Sequence, residues 1–302
     1  MRSDVEFPGF GGVTLRGWLL RPDGVSGDAP AIVMAHGFSA TRHMGLAPFA
    51  EIFCAAGIAV LVYDHRCLGD SDGEPRQEIN PWAQSRDYRY ALTWLSQQPG
   101  IDAERLAIWG SSFSGGEVLV VGAVDPRVKA VIANVPFAGP LEDGAGPLDE
   151  RFAAMRAALD DESGSGPADS TAPPIGPMPV IIATGADPDT RAFLPQPEST
   201  QWFESAGAAG SMWQNTFTLQ GFSSTTPFVP AVAVPFIAPR PLLMVVATSD
   251  RVAPVELALA AYEIAGEPKQ LEMIDGDHFA PYSGAALEQA ATAMRDFLVK
   301  YL

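Results

Sequence analysis

Short apolar runs recur along the chain, each closed by a polar residue or glycine: "AIVMAHG" (31–37), "IAVLVYDH" (58–65), "RLAIWGS" (105–111), "VKAVIANV" (128–135) and "PLLMVVATSD" (241–250). Runs of this length with no polar alternation suit strands buried on both faces. The earlier "VTLRGWLLRP" (13–22) alternates instead, as a half-exposed strand does. Helical patterns lie between them. "LAPFAEIFCAAG" (46–57) ends at a capping glycine, "PWAQSRDYRYALTWLSQQPG" (81–100) begins with Pro81 behind Asn80, and "GEVLVVGAVD" (116–125) stops before Pro126. Strand, helix, strand, helix predicts an α/β fold with a mainly parallel central sheet flanked by helices.

The rhythm breaks between about Gly139 and Pro235. There the chain is rich in Gly, Pro, Ala and Ser, as in "DDESGSGPADSTAPPIGPMP" (160–179), yet it carries Trp202, Phe203, Trp213, Phe217, Phe222 and Phe228. A flexible linker has no use for so many rings. The expected organisation is therefore a main α/β domain formed by 1–137 and 238–302, with an inserted cap or lid over 138–237. "PKQLEMIDGDHF" and the amphipathic "AALEQAATAMRDFLVKYL" complete the main domain after the insertion.

Composition narrows the partners. Nineteen basic against 36 acidic residues give a formal net charge of −17, and no Lys/Arg cluster offers the footprint that nucleic acid or an anionic membrane surface needs. No segment reaches the roughly 18 uninterrupted apolar residues of a membrane span, and the N-terminal "MRSDVEFPGFGG" has no apolar core of a secretion signal. A soluble, cytoplasmic protein is expected, with self-association left open. Cys54 and Cys67, the two cysteines, are expected as free thiols, lacking both the number for a disulfide framework and metal-ligand spacing. No G-x-G-x-x-G follows a strand, so no dinucleotide cofactor is expected; Asp70 and Asp72 in "DHRCLGDSDGE" lack the later ligands of a calcium loop, so no metal is expected either.

The chemistry concentrates in "IWGSSFSGGEV" (108–118), a strand joined to a helix through a very tight turn. This has the form of a nucleophile elbow, G-x-S-x-G, in which a strained serine is projected above the sheet. Gly110 fills the first position and Ser112 that of the nucleophile; Ser114 stands in place of the second glycine, with Gly115 and Gly116 beyond it. A serine needs a base, and the base an orienting carboxylate. Asp250 follows one late strand and His278 the next, in the order Ser112, Asp250, His278; His36, His43 and His65 all precede that acid, and Asp275 and Asp277 are too close to His278 in sequence to reach behind its ring easily. Two backbone amides are expected to bind the oxyanion, Phe113 right after the nucleophile and Phe38 in the loop after "AIVMAHG". Trp202 and Trp213 are the expected substrate-binding residues of the cap, making an apolar pocket.

With these residues in place, "MAHGFSATRH", "YDHRCLGDSDGEPRQE", "IWGSSFSGGEVLVV", "ATSDRVAP" and "DGDHFAPY" resemble the α/β-hydrolase superfamily, in its dienelactone-hydrolase-like and X-prolyl-peptidase-like esterase branch. The longer elbow pattern G-x-S-[YF]-x-G of that branch is matched by Gly110, Ser112, Phe113 and Gly115. The resemblance implies a cofactor-independent serine hydrolase cleaving small to medium, mostly apolar carboxylic esters. Acyl transfer, or hydrolysis of a lactone, thioester or amide by the same triad, remains the alternative, and a non-catalytic binding protein on a hydrolase scaffold is the reading of another class.

Overall fold

The computed structural model describes residues 1–302 except 25–26, 143, 162–173, 188, 209 and 221–225. Phe222 and most of the 160–179 stretch lie outside the described residues. In chain order the elements are β1 (Arg2–Pro8), β2 (Thr14–Leu20), β3 (Ala29–Ala35), α1 (Ala47–Ala55), β4 (Ala59–Tyr63), β5 (Glu78–Ile79), α2 (Pro81–Ser96), β6 (Ile101–Ser111), α3 (Phe113–Val124) and β7 (Val128–Asn134). After them come α4 (Leu148–Asp160), β8 (Ile175–Met178), α5 (Pro197–Gly207), β9 (Phe217–Leu219), β10 (Leu242–Ala247), α6 (Val255–Glu263), β11 (Lys269–Ile274) and α7 (Gly284–Tyr301).

Eight strands form one sheet in the order β1-β2-β4-β3-β6-β7-β10-β11. The pairs from β4 to β11 are parallel, and the two pairs at one edge, β1 with β2 and β2 with β4, are antiparallel, so β2 alone runs against the rest. Alternation within each strand feeds two cores. On β10, Leu242, Met244 and Val246 face the cluster that holds α2, α3 and α6, while Leu243 and Val245 face the one that holds α1 and α7. This is why the central runs read as uniformly apolar: both faces are covered by helices. The helix starts follow their sequence signals, as where the Asn80 side chain accepts hydrogen bonds from the amides of Trp82 and Ala83, both at 3.1 Å.

The segment inserted between β7 and β10 carries α4, α5, β8 and β9. Strand β9 pairs with β5 on one side and β8 on the other in a small second sheet, and Phe203, Phe217, Leu219, Val180 and Leu194 bury themselves against Phe38, Met44 and Phe113. Phe193 and Phe217 therefore pack on Phe38 in the loop after β3, and Trp202 and Phe203 on Phe279 in the loop after β11. No helix among the described residues is long and apolar enough to cross a membrane.

Candidate active site

Strand β6 ends at Ser111 and α3 begins at Phe113, so Ser112 alone makes the turn, at φ 58° and ψ −116°. Such a backbone costs a non-glycine residue about 1–3 kcal/mol and persists only where its surroundings enforce it. Here the Ser112 amide donates to the Asn134 carbonyl at 2.8 Å, and the Ser112 carbonyl accepts from the amides of Phe137, at 2.8 Å, and Gly116, at 3.2 Å. The turn is closed tightly enough that a Cβ on Gly110 would lie 2.1 Å from the Ser114 carbonyl oxygen. On the facing loop, a Cβ on Gly37 would lie 2.9 Å from that of Ser112. Glycine at these two positions lets the loop after β3 and the turn after β6 approach each other over one serine.

The loops after β10 and β11 deliver the other two groups. His278 Nε2 lies 2.9 Å from Ser112 Oγ, and His278 Nδ1 lies 2.6 Å from Asp250 Oδ2. Asp250 and His278 are both buried. The remaining oxygen of the acid, Oδ1, accepts from the amides of Val252 (2.9 Å) and Ala253 (2.8 Å), so the carboxylate is fixed at both ends. Neither neighbouring aspartate meets the imidazole through a hydrogen bond: Asp275 bonds to Thr248 and Asp277 to the Phe279 amide. A serine, imidazole and carboxylate in this arrangement can move a proton from the hydroxyl to Nε2 while the carboxylate steadies the resulting imidazolium.

Phe113 is the first residue of α3, where an amide has no acceptor inside the helix. Its ring meets that of Phe38 edge to face and those of Phe137 and Phe228 at a tilt. Phe38 follows Gly37 in the loop facing Ser112, and its ring lines the cavity above the serine. That cavity has an empty volume of about 370 Å³, part of it open to solvent. Trp202, on α5, is part of its wall, stacked on Phe279 at 5.0 Å beside His278. Trp213 is brought only to the second row, behind Phe203 at 5.3 Å. Met44, Leu194, Val252 and Tyr282 also line the cavity; they come from four separate segments, and no pattern in the sequence gives them a place in its wall. Tyr282 shares a hydrogen bond with Ser111, whose hydroxyl also accepts from the Asn134 side chain at 2.9 Å. Burial pushes the Tyr282 phenol up to about 12.

Behind the turn lies a second polar group that the sequence did not reveal. Ser114 Oγ sits 2.6 Å from the His36 carbonyl, 2.6 Å from His65 Nε2 and 2.9 Å from Glu117 Oε2, all fully enclosed. Burial lowers the pKa of both histidines and holds that of Glu117 well above the usual carboxylate range. The acidic loop is committed to cations: Asp64 and Asp70 pair with Arg42, Asp72 with Arg16, and Arg66 with Asp87. No cluster of three or more metal-ligating side chains occurs among the described residues. Cys54 and Cys67 are free, and burial raises the Cys67 thiol to about 11, leaving it protonated.

Residues 11–160 match the model of the X-Pro dipeptidyl-peptidase (S15) family. Over its whole length the chain is 30% identical to polyketide transferase grgF of a Penicillium species, covering 97% of that protein. It is 32% identical to thiohydrolase aneE of Aspergillus aculeatus, over 98% of this chain and 92% of the relative. The solved structure of DcsB in complex with its substrate analogue superposes over all of both chains with a TM-score of 0.79 at 27% identity.

Proposed function

Because the chain belongs to the X-Pro dipeptidyl-peptidase (S15) family of α/β hydrolases, we propose that it is a cofactor-independent serine acyl hydrolase working through Ser112, His278 and Asp250. The observation that carries this reading is the unbroken hydrogen-bond path from Asp250 Oδ2 through His278 to Ser112 Oγ, ending on a serine held at φ 58°. Ser112 Oγ attacks the acyl carbon while His278 Nε2 takes its proton. The carbonyl oxygen becomes an oxyanion held by the Phe38 and Phe113 amides, worth a few kcal/mol per donor. His278 returns the proton to the leaving oxygen or sulfur, and a water then releases the acid by the same steps in reverse. The segment 138–237 acts as the cap, and Trp202 meets the substrate from it. The substrates are small to medium, mostly apolar carboxylic esters.

A second reading, transfer of the acyl group or cleavage of a thioester, is favoured by the names of two relatives, a polyketide transferase and a thiohydrolase. The rings of Phe38, Trp202, Phe203 and Phe279 in the cavity wall support it too, since apolar walls keep water from an acyl-enzyme, which then survives to meet another acceptor. A panel of oxygen esters and thioesters of graded acyl length, run with and without an added alcohol or amine, decides between the readings. Ester hydrolysis predicts acid as the product throughout; transfer predicts that the added nucleophile captures most of the acyl group. No turnover of any acyl substrate would overturn both.

A further inference from the structure

The serine in place of the second elbow glycine is engaged far more heavily than packing alone requires. The hydroxyl has one proton, and three partners lie within 2.9 Å of its oxygen. Its short contact with the His36 carbonyl, 2.6 Å between oxygens, requires that proton, because a carbonyl only accepts. The two lone pairs of Ser114 Oγ are then left to accept from His65 Nε2 and from Glu117 Oε2, so His65 carries its proton on Nε2 and Glu117 is a neutral acid. Both forms agree with the direction in which burial shifts these groups.

The hydroxyl thereby holds the backbone just ahead of the Gly37–Phe38 peptide, which His36 also grips by its ring. The His65 amide donates to His36 Nε2 at 3.1 Å, which places the His36 proton on Nδ1. Nδ1 donates to the Gly37 carbonyl at 2.9 Å, and the Ala40 amide donates to that same carbonyl at 3.2 Å. In a planar trans peptide the N–H points opposite to the C=O. With the Gly37 carbonyl drawn toward His36 and Ala40, the Phe38 N–H of the same peptide is turned the other way. Ser114 thus anchors the backbone that sets one oxyanion donor, and it stands one residue after Phe113, whose amide is the other.

We infer that Ser114 is a positioning residue for the oxyanion-binding amides, its hydroxyl tying the loop that carries the Phe38 N–H to the first turn of α3 that carries the Phe113 N–H. Glu117 and His65 orient that hydroxyl by donating to it. The inference rests on the acyl-enzyme reading above.

Removing the hydroxyl leaves nucleophile, base and acid intact, so its effect falls on stabilising the tetrahedral oxyanion and not on binding the ester. Ser114→Ala is expected to lower kcat by about 10- to 100-fold, less than outright loss of a donor, with KM changed less than about threefold. Affinity for a trifluoromethyl ketone, which forms a tetrahedral oxyanion on Ser112, is expected to fall by the same factor as kcat/KM. Ser114→Gly, which restores the common elbow residue and cannot clash, is expected to show the same pattern and decides the matter if the alanine variant does not fold. Glu117→Gln, whose amide still donates to Ser114, is expected to keep kcat within about threefold. A merely structural serine predicts a lower melting temperature with kcat and ketone affinity unchanged in the folded variants, and that result overturns the inference. Labelling of wild-type Ser112 by a fluorophosphonate, run alongside, separates the two levels. No label there means the catalytic reading has failed; a label with fully active Ser114 variants means that only the positioning role has failed.

Discussion

Replacing Asp250 by asparagine changes almost no volume, yet the surroundings of this side chain dictate which way the new amide must face. Asp250 Oδ1 accepts from two backbone amides, those of Val252 and Ala253, while Oδ2 faces His278 Nδ1. An asparagine satisfies both amides only by keeping its oxygen toward them, which leaves its NH2 group against Nδ1. The imidazole must then accept at Nδ1 and carry its proton on Nε2, where it can no longer take the proton of Ser112. Flipping the amide would restore the productive tautomer but set two donors against two donors, at about 1–3 kcal/mol for each unsatisfied group. The competent form is therefore populated at roughly 10⁻² to 10⁻⁴, and it also lacks the negative charge that stabilises the imidazolium. Together these give a loss of about 10⁴ in kcat, close to 5–6 kcal/mol of barrier. Initial rates on a p-nitrophenyl ester, with thermal unfolding to show that the fold is retained, measure it. A loss smaller than tenfold would refute the reasoning and move the orienting role to another carboxylate.

Other outcomes stem from the same geometry. Gly110→Ala drives a methyl group to 2.1 Å from the Ser114 carbonyl and is expected to cost about 3 kcal/mol or more, read as a loss of soluble protein or a large fall in melting temperature. Trp202→Ala removes a wall of the cavity and is expected to shift the ranking of esters toward longer acyl chains; Trp213→Ala, one ring behind, is expected to lower stability by on the order of 2 kcal/mol with that ranking unchanged. For Glu117 the sign is set by burial, which raises its folded pKa above the unfolded value. Its contribution is fully present below the unfolded pKa and is lost as pH rises from there toward the folded one, by up to about 1.4 kcal/mol per pH unit. Glu117→Gln is accordingly expected to gain stability on the wild type as pH is raised from 5 to 8 in denaturant titrations, and parallel curves would contradict the neutral-acid assignment.

The strands that are legible in the sequence are those covered by helices on both faces, because "AIVMA" or "LLMVVA" has no other stable place. Strand β1 carries no such signal. As an edge strand it buries Phe7 and half-buries Val5, leaving a polar string with little periodicity. The two-residue β5 and the three-residue β9 are too short to have a period at all. Ser112 can be read from the glycine and small-residue spacing that a single-residue turn demands. His278 and Asp250 can be read from their places after the last two strands. Tyr282, Leu194 and Val252 cannot, since a wall assembled from distant loops has no local pattern. Ser114 is the instructive case: by spacing it is a tolerated departure from glycine, and only the approach of His36, His65 and Glu117 from three elements gives its hydroxyl work.

All of this chemistry depends on the identity of the nucleophile. Incubation of the protein with a fluorophosphonate, followed by proteolysis and mass spectrometry, is expected to place one adduct on Ser112, in step with the loss of ester turnover, and Ser112→Ala is expected to take up no label while unfolding at the wild-type temperature. An adduct on Ser111 or Ser114, or turnover that survives in Ser112→Ala, would contradict it.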